Sequence, residues 1–465
     1  MRRRMNNLSI KIALAVLVLI SIVLISCPPV NEKPFNNIIV VSGVLTLNKW
    51  NDILDNIYMN GIPVHLDLSA CTAPASGGDI LKRTFEDGTD YDPNSVKALN
   101  IYNDYIQFNP SLSGRFGKEF IKTIILPDVA TMISNASDDI DLETFSDVKN
   151  NETSRYAFNH FTNLSTVIGK RISLIGTFAF FNCKSLERAE FPNAIIIMQY
   201  AFFNCSSIKK LEFEKLRHIQ PSAFENCTSL ERAEFHNADV IPQRAFLNCI
   251  SLTEVSFSKA VKIERDAFRN CINLRIARFL ADPGRTTSGH PLQNYINDNT
   301  GASGIFSNDT LAFHNNVFRG CVSLETLDVR NAWNVYFGGG ALAEIGTSLN
   351  LFLFDDDGTR TYGHPQVDWL LGGAPDDDDT NRGVRTLREL KIIAPTVLPL
   401  TASQIMYRDH STIAGYASIR NRINTMYNGN DPDDRWIDYN EPKNPVVKVT
   451  VNGRPAASHF DGMTN

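Results

Sequence analysis

Cysteines carry the first chemical signal in this chain of 465 residues. Five of them recur at a constant spacing of 22 residues, at Cys183, Cys205, Cys227, Cys249 and Cys271. Thiols can ligate zinc, form disulfides or lie buried as small apolar groups. Structural zinc sites use closely paired cysteines of the C-x-x-C type, which this spacing lacks. The pattern therefore predicts no zinc site.

Clustered aspartates and scattered histidines are the other candidates for chemistry. If Gly358 is position 6 of an EF-hand loop, Leu353 stands at position 1, where a carboxylate is required. The run 376–379 fits the EF-hand pattern no better, and His218 and His236 are expected to be exposed turn residues. The sequence has no G-x-S-x-G, H-E-x-x-H, P-loop or G-x-G-x-x-G motif. It predicts no catalytic residue, no metal and no cofactor, and hence no enzyme.

Composition excludes several classes of protein. Lys and Arg number 45 against 51 Asp and Glu, so the net charge of −6 offers no basic surplus for nucleic acid. With 43% hydrophobic and 21% charged residues, the chain can bury a large core and is neither disordered nor a multi-span membrane protein. Length alone suggests about three domains.

An internal repeat surrounds the spaced cysteines. Each of them ends the pattern A-F-x-N-C, and the phenylalanines of this pattern are Phe180, Phe202, Phe224, Phe246 and Phe268. Apolar residues follow each cysteine at i, i+3 and i+5, as in Leu186, Ala189 and Phe191. A fixed period of this length is typical of a solenoid, in which each coil buries its apolar face against its neighbours. We expect the phenylalanines to stack from coil to coil.

These repeats resemble the BspA-type leucine-rich repeats of bacterial surface proteins, which share the A-F-x-x-C-x-S-L core. The resemblance implies an α/β-type leucine-rich repeat solenoid of short parallel strands with loops or short helices, closed by a small C-terminal cap. Less regular units extend it, at Phe158, Phe318 to Val329, Leu349 to Phe354 and Leu387 to Ile392. Upstream, Ile121 to Leu126 has the strand rhythm, and His65 to Leu68 is expected to be an outermost strand.

The solenoid explains the cysteines better than disulfides do. Apart from Cys27 near the N-terminus, seven cysteines remain, so they cannot all be paired. Equivalent residues of adjacent coils also have parallel Cβ directions, which do not suit a disulfide. We favour a ladder of free, buried thiols, beside which the preceding asparagines bond backbone groups.

The outward strand positions form a candidate binding face. Its residues are Arg188, Glu190, Lys210, Glu212, Arg232, Glu234, Glu254 and Arg278. Basic and acidic columns lie side by side in this arrangement. They either neutralise one another as a salt-bridge ladder or present charge to a partner, and exposed ion pairs contribute little stability in either case.

The N-terminus indicates export. Arg2 to Arg4 precede an apolar run at 12–25 that is too short for a membrane span and typical of a signal peptide. The run ends in Leu24-Ile25-Ser26-Cys27, which resembles the lipobox of bacterial lipoproteins. That resemblance implies acylation of Cys27 and, with Pro28 after it, an outer-membrane destination.

The regular array is interrupted and then lost. We assign 1–26 to the signal peptide, 27–60 to a tether and N-terminal cap, 61–395 to the solenoid and 396–465 to a C-terminal cap region. Regular units span 157–279, and insertions lie at about 133–154, 280–316 and 355–385. The insertions are either binding loops or solvated loops without a role. A helix from about Ser411 to Tyr427, Trp436 and a strand from Val446 to Val451 are expected near the end.

The sequence thus favours an exported, lipid-anchored, surface-exposed protein whose solenoid binds extracellular proteins or glycans. The family resemblance implies an adhesin, with host matrix among its candidate partners, and contact with the membrane through the lipid alone. Two alternatives stay open: a polysaccharide-active enzyme on a parallel β-helix, and a purely structural envelope protein.

Overall fold

The chain forms a stack of coils built from short parallel strands. The computed structural model describes residues 37–74, 81–85, 104–112, 116–133, 157–211, 213–281, 310–330, 334–337, 341–342, 344–352, 367–368, 389–393, 448–451 and 454–455. The leucine-rich repeat solenoid predicted from the sequence is confirmed in these residues.

In chain order the elements are β1 (Ile38–Val44), α1 (Leu47–Asn60), β2 (Val64–Thr72), β3 (Leu81–Phe85), β4 (Asp104–Phe108), β5 (Ile121–Ile125), β6 (Met132–Ile133), β7 (Thr166–Ile168), β8 (Leu174–Ile175), β9 (Arg188–Glu190), β10 (Ile196–Ile197), β11 (His218–Ile219), β12 (Arg232–Glu234), β13 (Val240–Ile241), β14 (Glu254–Phe257), β15 (Lys262–Ile263), β16 (Ile276–Phe279), β17 (Thr310–Phe313), β18 (Thr326–Asp328), β19 (Asn334–Phe337), β20 (Ser348–Phe352), β21 (Val367–Asp368), β22 (Glu389–Ile393), β23 (Lys448–Val451) and β24 (Arg454–Pro455). Two 3-10 turns, Pro110–Leu112 and Lys118–Phe120, precede β5.

The strands that follow the cysteine positions form one side of each coil, which we call the front sheet. Its first block has the order β1-β2-β5-β7-β9, and its second has the order β12-β14-β16-β18-β20-β22-β23-β24. Between the blocks, Lys210 bridges in parallel to Arg232. Only β23 and β24 pair antiparallel among these strands. Parallel pairing follows from the repeat, because each strand returns at the same point of the next coil.

A second side, the back sheet, is formed by the return segments. Its two blocks have the orders β11-β10-β8-β6-β4-β3 and β13-β15-β17-β19-β21. The inward isoleucines Ile175, Ile197 and Ile241 are fully buried. On the first block, Met132, Leu174, Ile196 and Met198 form a small apolar cluster separate from the main core.

The third side of each coil is the A-F-x-N-C turn, and it too is bonded from coil to coil. The backbone N–H of Phe180 donates to the carbonyl of Ala201 at 2.7 Å, and that of Phe202 donates to the carbonyl of Ala223 at 2.8 Å. Backbone groups on all three sides therefore find partners in the adjacent coil, as buried backbone requires.

The core contains a continuous column of phenylalanine rings. Successive centroids lie 5.0 Å apart between Phe180 and Phe202, 5.5 Å between Phe202 and Phe224, and 5.2 Å between Phe246 and Phe268, with nearly parallel planes. These rings are fully buried. Offset stacking of this kind is favourable for aromatic rings, so each coil fixes the position of the next.

The N-terminal end differs from the sequence prediction. The strand expected at His65 to Leu68 is present in β2, but β1 lies outside it and pairs with it in parallel. Helix α1 follows, begins at the Thr46 cap and ends at Gly61 in the left-handed conformation. Trp50 of α1 is fully buried and contacts Phe108 edge to face at 6.2 Å. A helix closing the first coil covers apolar core that the open end would otherwise expose.

The later coils also differ in register. Leu351, and not Phe352, is aligned with Leu327 and buried, so the coil begins at Ala341-Leu342, one residue earlier than its apolar pattern indicated. Within the predicted insertion 280–316, Thr310–Phe313 forms β17, which lies between β15 and β19 and pairs in parallel with both, like other return strands. Within 355–385, Val367–Asp368 forms β21.

The predicted final strand is confirmed as β23, which pairs with β22. The predicted helix at Ser411 to Tyr427, Trp436, both aspartate runs and Cys27 lie outside the described residues. Within those residues, no helix has the length and apolarity needed to cross a bilayer.

Asparagine occupies a left-handed backbone position at the end of each A-F-x-N-C turn. Asn182, Asn204, Asn226, Asn248 and Asn270 all have φ between 59° and 63°, which most L-residues avoid. Their side chains were expected to bond backbone groups. Instead, Nδ2 of Asn248 donates to Oδ1 of Asn226 at 2.9 Å, and Asn270 repeats this with Asn248 at 3.0 Å. Gly320 takes the same place in a later coil, with φ of 77°.

Replacing Asn226 separates the backbone from the side-chain contribution. Asn226→Gly should lose about one hydrogen bond, worth ~1 kcal/mol, because glycine accepts the positive φ. Asn226→Ala should cost a further ~1–2 kcal/mol, because alanine is strained in the left-handed region. Urea unfolding followed by circular dichroism checks this order. Equal midpoints for the two variants would show that the left-handed backbone is not what selects asparagine.

Candidate functional site

The front sheet presents two outward columns of side chains, formed by strand positions that pair from coil to coil. The first column reads Ile38, His65, Thr123, Thr166 and Arg188, then Lys210, Arg232, Glu254, Ile276, Thr326 and Asn350. The second column reads Val40, Asp67, Ile125, Ile168 and Glu190, then Glu234, Ser256, Arg278, Asp328 and Phe352. Glu212 lies outside the described residues.

Predicted face residues in the middle of the columns form ion pairs. Arg188 pairs with Glu190 in its own coil. Arg232 approaches Glu234 at 3.9 Å and Glu254 of the next coil at 3.7 Å. Glu254 is also paired with Arg278. Opposite charges thus stand side by side across the two columns, and in the first column the sign changes from basic to acidic between Arg232 and Glu254.

These ion pairs are open to solvent on the basic side. The side chains of Arg188 and Arg232 are 68% and 61% exposed, whereas that of Glu254 is 20% exposed. Pairs at this exposure contribute only ~0–1 kcal/mol each, so the face can exchange them for contacts with a partner at small cost. The arrangement supplies guanidinium donors and carboxylate acceptors at regular intervals.

Sequence reasoning missed the uncharged part of the same face. Thr123, Ile125, Thr166 and Ile168 continue the two columns toward the N-terminal end and are half-buried. The threonines and isoleucines at the outward positions of β5 and β7 were the sequence signal that could have identified this section. The face is therefore divided into an uncharged section and a charged section.

An exposed aliphatic stripe borders the charged section. Ile250, Ile272 and Val322 each follow a cysteine and are 39%, 41% and 55% exposed. The equivalent residues of the three preceding coils are Lys184, Ser206 and Thr228. The turn before the strand thus changes from polar to apolar along the solenoid. The repeat pattern contained this change, which sequence reasoning did not use.

At the far end of the described columns, Asp328 and Arg330 form a further pair. Arg330 donates to both oxygens of Asp328, at 2.9 Å and 2.7 Å, and its guanidinium lies 5.1 Å from the ring centre of Phe352. Because the Asp328 carboxylate is held by arginine, it is a structural acceptor and not a free base.

The histidines occupy different environments. His236 is exposed, as predicted, and its Nδ1 lies 3.0 Å from Oγ of Ser258. His218 is half-buried in β11, and burial lowers its pKa. It is therefore not the exposed turn residue that the sequence suggested, because its turn continues into the back sheet. Among the described residues, no three His, Cys, Asp or Glu side chains are grouped as a metal site requires.

The cysteines of the repeat form a column of free thiols inside the turns. Cys205, Cys227, Cys249, Cys271 and Cys321 are fully buried, and the seven cysteines of the described residues are all unpaired. Each thiol donates to the carbonyl of a phenylalanine in the preceding coil, for example Cys227 to Phe202 at 3.2 Å and Cys249 to Phe224 at 3.2 Å. The thiols pack and bond but do not face solvent, so they offer no nucleophile.

Burial strongly disfavours the thiolate in this column. It raises the pKa of Cys183 from 9.0 to about 12, and it raises the pKa values of Cys205 and Cys249 well above 9.0. The unfolded chain therefore loses its thiol protons first as pH rises. The stabilisation is complete below pH 9.0 and is lost between there and about 12.

An alkaline unfolding series tests this dependence. Between about pH 8 and about pH 10.5, the urea midpoint of the unmodified protein should fall further than that of Cys183→Ala, which has lost one titrating thiol. Lysines and tyrosines titrate alike in both proteins, so the difference isolates Cys183. Parallel curves would contradict the assigned pKa.

The chain is similar to one family of repeats and to several solved structures. A family model described as BspA type leucine rich repeat region matches residues 151–275 in six copies. No curated protein matches the chain. A leucine rich repeat protein of T. pallidum is 26% identical over 39% of this chain and 73% of its own, with a TM-score of 0.29. A leucine rich cell surface protein from Faecalibacterium prausnitzii is 15% identical over 69% and 89%, with a TM-score of 0.30.

An internalin from Listeria monocytogenes is 12% identical and covers 66% of this chain and 86% of its own, with a TM-score of 0.22. The family match coincides with the coils whose phenylalanine and thiol columns are most regular. Residues 151–275 of this chain belong to the BspA-type leucine-rich repeats.

Proposed function

We propose that this protein is an exported lipoprotein whose front sheet binds an extracellular protein or glycan. The observation that carries the proposal is the pair of outward columns, in which exposed arginines stand beside glutamates over several coils. Leucine-rich repeat solenoids generally use such extended surfaces for recognition.

The surroundings of the columns favour a protein ligand over a glycan. Protein interfaces combine an apolar centre with a polar rim and about one hydrogen bond per 100–200 Å². The stripe of Ile250, Ile272 and Val322 beside Glu254 and Arg278 has that composition. Adhesion to host matrix is one role that this surface would serve.

Charge reversal on the face tests the site. The full chain is first screened against immobilised matrix proteins and surface glycans. For a ligand found there, Arg232→Glu should weaken binding about tenfold or more, because it places a third acid beside Glu234 and Glu254. The unfolding midpoint should change little, since exposed pairs contribute little.

Arg217→Glu is the matched control, because it makes the same charge change at an exposed residue just before β11 of the back sheet. Its affinity should equal that of the unmodified protein. If both variants lost the same amount of binding affinity, the front sheet would not be the binding site. Absence of binding to the whole panel at micromolar concentration would remove the adhesin role. Release of sugar products from the glycans would favour the enzyme alternative.

The anchor is the second part of the proposal. Cys27 follows Leu24-Ile25-Ser26, and ten residues separate it from the start of β1 at Ile38. Lipoproteins carry more than one acyl chain, and two chains make anchoring stable where one is marginal. The proposed location is the outer membrane, with the solenoid outside the cell.

Fractionation and mass spectrometry test the anchor. Cys27→Ala should abolish acylation and move the protein from the membrane fraction to the soluble fraction. Cys71→Ala is the control, since Cys71 is a buried thiol of β2 and its loss should leave acylation unchanged. An unchanged distribution for Cys27→Ala would refute the lipobox assignment.

A further inference from the structure

Among the described strands, β1 is the edge strand at the N-terminal end of the front sheet. No strand of the described residues pairs with the outer side of β1. Its sequence, IIVVSGV, contains no charge and no proline. Natural sheets usually protect an edge with charge, proline, a bulge or a covering element, because unprotected edges pair with other chains.

Protection is present in only one half of the strand. The pairing of β1 with β2 shifts between Val40 and Ser42, which marks a bulge. The Nζ of Lys49 also donates to the carbonyl of Ser42 at 2.5 Å. In the part of the chain that the structure describes, neither device reaches the segment Ile38–Val40, and this half of the edge has no charge, proline or bulge.

Hydrogen-bond directions show which backbone groups are open there. The N–H of His65 donates to the carbonyl of Asn37 at 3.0 Å, and Sγ of Cys71 donates to the carbonyl of Val41. Residues 37, 39 and 41 therefore direct their backbone groups toward β2. Because the direction alternates along a strand, the N–H and C=O groups of Ile38 and Val40 face away from it.

Exposed apolar side chains gather at the same end. Ile38 is 62% exposed, Met59 in the last turn of α1 is 84% exposed, and Ile62 in the connection from α1 to β2 is 48% exposed. Nδ2 of Asn37 donates a hydrogen bond to the carbonyl of Pro63, which places Ile38 beside this connection. Tyr58 of α1 contacts Phe116 at 5.0 Å, and these two rings are also half-exposed. Several exposed apolar side chains at one end of the molecule are typical of an interaction site.

We propose that β1 is a self-association edge, at which a second copy of this chain adds its own β1 antiparallel. Pairing centred on Ile39 sets Ile38 of one copy opposite Val40 of the other. Both of these residues direct their backbone groups outward, so the pairing forms two hydrogen bonds at each of the two positions. Ile38 and Val40 then also contact across the outer face of the joined sheets.

The charge pattern favours a second copy over other occupants. A two-fold contact brings each group near its own equivalent, so charge in the segment would repel itself. The segment Ile38–Val40 has none. A lipid surface fits less well, because Asp52 and Asp55 are exposed on α1 at this end and acids are repelled by anionic lipids.

Val40→Pro tests the edge without disturbing β2. Proline removes the N–H of residue 40, which faces outward, and edge strands tolerate proline at such positions. The full chain is used with Cys27→Ala in all samples, so that acylation cannot contribute. Sedimentation over about a hundredfold range of concentration should show a monomer–dimer equilibrium for this protein and monomer throughout for Val40→Pro.

Val40→Thr is the matched control, because it keeps the N–H and the β-branched shape, and it should remain a dimer. Circular dichroism and the lack of reaction of the buried thiols report whether Val40→Pro is folded. If that variant is unfolded, Ile38→Lys replaces it, since lysine on the outer face of an edge blocks pairing without removing a donor. The proposal would be overturned if the protein with β1 unmodified were monomeric at every concentration. It would also be overturned if a folded Val40→Pro or Ile38→Lys variant were still a dimer. Flotation of the monomer with phosphatidylcholine vesicles would assign the patch to lipid instead.

Discussion

Each coil of this protein can bury its apolar side chains only against the coils before and after it. The phenylalanine column is the clearest form of that dependence, since rings such as Phe224 contact equivalents at 5.5 Å on one side and 5.3 Å on the other. Stability in such an array is close to a sum of coil and interface terms. Among the described residues, one continuous core therefore runs from Leu45 to Leu351, since a solenoid adds coils without meeting the size limit of a globular core.

The same dependence explains the thiols and asparagines. A cysteine fits beside the phenylalanine column because its thiol is small and can donate to a carbonyl of the preceding coil. Asparagine fits the turn because it accepts a positive φ and can bond its own equivalent 22 residues away. These bonds join coil to coil, so they add to the interface terms without forming a chemically reactive site.

The surfaces that the stacked coils leave exposed are the ones available for binding. The front columns present paired charge in one section and threonine and isoleucine in another. The stripe from Ile250 to Val322 adds apolar surface beside the charged section. At the N-terminal end, α1 covers the core but not the first half of the β1 edge. The front face is where we propose that a partner binds, and the β1 edge is where we propose that a second copy adds.

The sequence by itself determined the repeat, the inward positions, the phenylalanine column and the free thiols, because each of these recurs with a fixed period. Only the tertiary structure decided which outward charges pair, where the coil at Ala341 begins and that β1 lies outside β2. Periodicity cannot specify these features, since they depend on contacts made once, between segments far apart in the chain. Asn226 shows the limit well: the repeat identified the residue, but its bond to Asn248 appears only when the two coils are stacked.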